Sequence, residues 1–310
     1  MKNMNFPAAI IVSIFISGFA YEANALGGGA MKSVKDARAK TSGEVIKCSP
    51  EGGGEFKKPS EAITSLKKGM TLKLMPGTYM DEMVISCDGI TIEGGEPGKR
   101  CDINLELTGK DYFVRNLFCN TIRCNLDITL VDSAVKYFMS EKDSKADIVF
   151  DNCCIGALDI MSYNKSIELN RCTICNGGNA ALMHGSKILI EKCVLYAKDV
   201  VFMLGTSKPK IDIDNSVVYG DAGFAKDIAS GKIAKTMDDA KKQRFQANIM
   251  KKKNVLEEKP LFDKEPSVTA VFDVKYDTSY REGWTRKVVY PSGIMNLADW
   301  ILKEDSPGRK

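Results

Sequence analysis

Asp159, Asp199 and Arg123 are the side chains of this sequence whose types and spacing best support chemistry. Two carboxylates on one surface can divide the roles of general acid and general base, or hold a divalent cation, while a guanidinium neutralises an acidic ligand. Asn179 and Glu141 would join them as ligand-binding groups. Other constellations are weaker. His184, beside Gly185, is the only histidine and reads as a turn residue. Cys172 and Cys175 form one isolated C-x-x-C, so a structural zinc site is not expected and no metal ligand set is assigned.

The elements that must position these groups announce themselves as a repeat. Segments 112–117, 148–153, 167–172, 188–193 and 211–216 share bulky apolar residues at positions one and three, a polar pair, then a small or apolar residue at position six. Shorter relatives occur at 72–74 and 90–92, and a weaker turn near Leu130 fills the one double-length gap. A period of roughly twenty residues with strand alternation suits either a leucine-rich repeat or a parallel β-helix, and the leucine-rich signature is missing. The expected fold is therefore all-β: a right-handed parallel β-helix of about seven or eight coils. An N-terminal capping helix over 60–68 would close one end, and a helical and irregular tail would follow the coils.

Position six places Cys153, Cys172 and Cys193, with Leu117 before and Ser216 after, in one internal column. Cysteine packs there as a small hydrophobe, so a reduced ladder is expected. Cys87 with Cys101, and Cys119 with Cys124, flank turns and are the expected disulfides. Counting six residues beyond each ladder position reaches Arg123, Asp159, Gly178 and Asp199, with Glu141 from the weaker coil. With equal loops these share one outward column, Asp159 and Asp199 lying two coils apart, roughly 10 Å at the inter-strand spacing. Asn179 would sit between them. The apolar run 180–183 also suits coverage by the tail better than an open polar groove.

Residues 1–25 read as a secretory signal peptide: a basic start, a short apolar core, and Ala23-Asn24-Ala25 at the cleavage position. That makes the expected protein secreted or periplasmic, without a stable membrane span. Residues 26–44 would be a flexible lead, 45–221 the β-helix, and 222–310 a helix and tail packed on it. Over 225–253 the apolar residues fall at roughly helical spacing, Lys251, Lys252 and Lys253 ending that helix, and a short helix is expected over 296–303. The net charge is +4, and residues 222–310 carry 18 Lys+Arg against 13 Asp+Glu. So mild a field argues against a nucleic-acid partner. A monomer is expected.

The opening of the repeat resembles pectate-lyase-like and pectin-lyase-like β-helices, and pectin methylesterases. The residues that carry the resemblance are Gly52-Gly53-Gly54, Pro59-Ser60-Glu61, Pro76-Gly77-Thr78-Tyr79 and Ile90 to Gly94. It covers about residues 45–220 of the chain. It implies a polysaccharide or cell-envelope glycan as partner, and a lyase or a carbohydrate esterase if the protein is an enzyme. Lyases of this kind hold calcium with clustered carboxylates and use an arginine or lysine as base, which makes calcium the candidate cofactor. The stretch from Cys193 to Asp199 is similar to an esterase motif, although Lys198 replaces its glutamine and the downstream arginine is missing. The readings are therefore polysaccharide binding or processing along the exposed sheet, a non-enzymatic envelope scaffold or adhesion protein, and a degenerate methylesterase-like hydrolase.

Overall fold

The computed structural model describes residues 43–80, 82–96, 98–140, 146–160, 166–183, 187–204, 209–227, 232–233, 250–262, 268–275, 285–292 and 306. The apolar pairs of the repeat each form a short strand, because alternate side chains point to one side and every coil offers the same side. Ten such strands stack in chain order, from Val45–Cys48 and Thr71–Leu74 through Ile128–Val131 to Lys210–Asp214 and Met250–Lys253. All of these pairings are parallel. A second sheet, containing Phe118–Cys124, Ala134–Ser140, Cys154–Ile160 and Val200–Leu204, runs beside the first. The chain visits both sheets in each of about 7 turns, which defines a parallel β-helix. This arrangement is consistent with a right-handed winding, the hand that twisted strands favour in parallel crossovers.

One inward column shows how the core is built. Leu72, Ile92, Val114, Leu130, Phe150, Leu169, Ile190 and Ile213 lie in register, all buried. Each such side chain contributes about 1.5–3 kcal/mol by leaving water. The polar residue before each ladder position has a conformational reason. Asn116, Asp132, Asn152, Arg171, Lys192 and Asn215 all adopt left-handed φ, between 47° and 56°. Asn and Asp enter that region more readily than other side chains, which accounts for four of the six.

Position six is a ladder of hydroxyls and thiols. Ser133 and Ser216 donate to the carbonyl two residues back at 2.8 and 2.7 Å, and Cys153, Cys172 and Cys193 do the same at 3.4, 3.3 and 3.2 Å. The ladder also ties coil to coil: the Leu117, Cys172 and Cys193 amides donate to Ser133 Oγ, Cys193 Sγ and Ser216 Oγ. All ten cysteines are thiols, so the two expected disulfides are absent. Cys119 and Cys124 share the strand Phe118–Cys124, which separates their Cα atoms by well over the roughly 7 Å a disulfide allows. Cys101 instead donates toward the Leu74 and Met75 carbonyls, while Cys87 lies against the Asp88 carbonyl. Burial pushes the Cys101, Cys124 and Cys154 thiols up to about 12.

The capping helix runs Pro59–Ser65, shorter than expected, and packs its buried Ala62 over the first coil. The C-terminal reading needs correction. Both ends of the expected helix over 225–253 are strands, Gly223–Asp227 and Met250–Lys253, while its centre at 234–249 and the helix expected at 296–303 lie outside the described residues. Coil register has overridden helical spacing there, and the three lysines lie on a strand. Beyond them Leu256 bridges to Val217, Val268 and Phe262 pack on the outer face of the second sheet, and Thr269–Lys275 pairs antiparallel with Thr285–Ser292. Residues 1–42 lie outside the described residues, the expected signal peptide with them.

Candidate functional site

The outer face of the second sheet carries the expected site residues, and its register decides which of them meet. One column reads Glu106, Arg123, Met139, Asp159, Leu182 and Met203. Arg123 and Asp159 therefore share a column two coils apart, roughly 10 Å, with Met139 between them. Met139 holds the place expected for Glu141, which lies outside the described residues, as does His184.

Asp199 is not in this column. From Ile155 to Leu158 the strand Cys154–Ile160 is continuous, whereas the equivalent residues one coil on are Ile174 and Ala181. That coil carries four extra residues, 177–180, and the next coil repeats the longer spacing. Counting six from the ladder then lands on a ledge beside the column. There the Asp199 amide donates to the Gly178 carbonyl, and Asn179 Nδ2 donates to Asp199 Oδ2 at 2.8 Å. Asn179 and Asp199 do meet, but the pairing of Asp159 with Asp199 on one face is not formed. Asp159 and Asp199 therefore do not together form the two-aspartate arrangement that esterase chemistry needs.

Asp159 is 0% exposed and accepts a 2.5 Å hydrogen bond from the Tyr137 hydroxyl at its Oδ2. Around it Met139, Ala157, Leu182, Val200 and Met203 form a closed apolar cluster. Arg123 remains partly exposed, its Nε donating to Met139 Sδ and its Nη1 lying 3.6 Å from Glu106. Calcium requires about 6–8 oxygen ligands. Asp159 and Asp199, on separate features, supply no such set, and among the described residues no group of three or more His, Cys, Asp or Glu is disposed to hold a metal.

The more open polar cluster escaped the sequence reading. Arg100 lies 2.5 Å from Asp102, donates to Asn120 Oδ1 at 2.8 Å, and places its guanidinium over the Phe118 ring. Lys136 follows one coil further on, since Phe118 and Cys119 pair with Ala134 and Val135. Burial and the Arg100 charge hold the Lys136 ammonium below its usual pKa, against the pull of Asp102. Arg100 and Lys136 are far apart in sequence and outside the repeat's counted column, so only the coil register reveals them as neighbours. The tail confines this face on its other side: Gly177 donates to the Val268 carbonyl, and Val268 seats against Gly156.

The strand register defines the class: a parallel β-helix. No family model and no curated protein matches the chain. Among solved structures it is similar to one described as the crystal structure of pectate lyase Pel9A, with a TM-score of 0.41 and 12% identity. That match covers 58% of this chain and 64% of the other, less than two thirds of that protein's length.

Proposed function

We propose that this is an exported β-helix protein that binds or processes an acidic polysaccharide along the outer face of its second sheet. The observation that carries the reading is the outward cluster of Arg100, Asn120 and Lys136 on neighbouring coils. Cations on a rigid sheet fit an anionic polymer, and burial together with the Arg100 charge favours the neutral, basic form of Lys136. Such a base can take the proton beside a sugar carboxylate. The electron pair then forms the new double bond and expels the glycosidic oxygen. Asp159, fully buried and held by Tyr137, positions the strand behind this face, and the ledge of Asn179 and Asp199 supplies polar contacts to sugar hydroxyls.

Binding to a uronic-acid polymer, measured by calorimetry with a neutral glucan as control, tests the proposal. Selective binding that weakens in salt, and falls about tenfold or more in a Lys136→Met, Arg100→Met variant, is the expected outcome. Ultraviolet absorbance from an unsaturated product would add the lyase reaction, which Lys136→Met should abolish without unfolding the protein. Equal binding to both polymers overturns the reading. A second reading, a non-enzymatic envelope scaffold, is favoured by the complete burial of Asp159 within an apolar cluster. Binding without product release would support it.

A further inference from the structure

A parallel β-helix ends on an open strand edge whose unpaired N–H and C=O groups can template another strand. Here the first sheet ends on Met250–Lys253, and among the described residues no strand follows it. The inward residues of that strand are Met250 and Lys252, in register with Ile211 and Ile213. Met250 is still buried. The next inward position, apolar in every earlier coil from Ile46 to Ile213, is a lysine.

Lys252 is held in that place. Its Nζ lies 4.0 Å from the centroid of the Phe224 ring, itself part of the core, and 2.6 Å from Glu257 Oε1. Its stem thus covers the last apolar ring of the core while the charge faces out with a partner. On the opposite side of the strand Lys251 and Lys253 are exposed. Up to this point the coil signature is intact. Asn254 adopts the left-handed φ, its Nδ2 donates to Asn215 Oδ1, and Val255 packs against the core in line with Ser216. The bend of a coil is thus present after this last strand, whose second inward position carries a charge.

We infer that Lys252, seated on Phe224 and paired with Glu257, closes the C-terminal end of the coil stack against end-to-end association with a second copy of this chain. A copy stacking there would have to bury an ammonium and its carboxylate without compensating contacts. The partner excluded is the same C-terminal edge of another copy, since the first strand Val45–Cys48 is already covered by the capping helix and by the Glu55 and Phe56 amides that donate to the Lys47 carbonyl. Such an edge-to-edge contact would close as a two-fold pair and would set the lysines of one copy against those of the other. This inference is independent of any sugar chemistry.

Sedimentation velocity over a concentration series tests it with the full-length chain. The parent protein should sediment as one species, and Lys252→Met, which keeps the stem and removes the charge, should shift to larger species as concentration rises. Lys252→Arg should behave as the parent does. Adding Lys251→Thr and Lys253→Thr, both at exposed positions, should lower the concentration at which association begins by tenfold or more. These two threonines alone, with Lys252 retained, should cause little association. A Lys252→Met protein with an unchanged β-sheet circular dichroism spectrum that stays a single species at every concentration overturns the inference. So does a parent protein that itself stacks end to end.

Discussion

Arg171 and Lys192 occupy the same left-handed position on neighbouring coils, so one substitution made at both separates backbone preference from ion pairing. Arg171 grips Asp151 with both prongs, Nη2 at 2.6 Å from each carboxylate oxygen and Nε at 3.0 Å from Oδ1. The Asp151 side chain is 3% exposed and that of Arg171 26%. Removing one partner of a fully buried pair costs about 3–5 kcal/mol, and the partial exposure of the arginine brings this to about 2–3 kcal/mol. Asparagine is easier in the left-handed region by roughly 1 kcal/mol, so Arg171→Asn should destabilise by about 1–2 kcal/mol. Among the described residues Lys192 pairs with Glu191 at 2.8 Å, the two side chains 27% and 50% exposed, a contact worth at most about 0.5–1 kcal/mol. Asn at position 192 also comes into register with Asn215, as Asn254 already does. Lys192→Asn should therefore be neutral to stabilising by about 0.5 kcal/mol. Urea unfolding followed by circular dichroism reads both differences. Two variants shifting in the same direction by similar amounts would refute the assignment of the Arg171–Asp151 pair as the energetic centre of this bend.

Nine of the ten cysteines are buried and Cys87 is half-buried, so a disulfide-exchange reagent should label Cys87 alone in native protein and all ten in urea. Rapid labelling of several thiols without denaturant would contradict the closed ladder. The Glu168 carboxyl is raised above its ordinary 4.5 by burial and by Asp147 beside it, against the opposing pull of Lys187. A raised acid binds its proton more tightly when folded, so its favourable contribution is present at acid pH and is lost as pH rises through the folded value. Glu168→Gln should consequently stabilise the protein at neutral pH, with the gap closing in acid; a constant gap across a pH series of melts refutes this. At Gly177 a new Cβ would stand 2.5 Å from Thr269 Oγ1, so Gly177→Val should displace the tail from the second sheet and speed its proteolysis. An unchanged cleavage rate would show that the tail is not held there.

The amino-acid order alone carried the winding, because in a solenoid each repeat contacts chiefly its neighbours and every coil restates the same local rule. Apolar residues at positions one and three, Asn or Asp in the left-handed place and a small side chain at position six are enough to read the coils and the Cys153–Cys172–Cys193 column. Arg123 and Asp159 were legible as one column for the same reason: the coils between them have equal length. Tertiary structure decided the rest. Residues 177–180 lengthen a coil and carry Asp199 off the column, a change that a count assuming equal loops cannot register. Arg100 and Lys136 became neighbours, and Tyr137 the partner of Asp159, through stacking between coils. The strands at 223–227 and 250–253 took their conformation from an edge already laid down, against the helical spacing of their own residues. Periodicity is a local property and survives in sequence, whereas insertions, coverage and charge proximity depend on what distant segments bring to the same place.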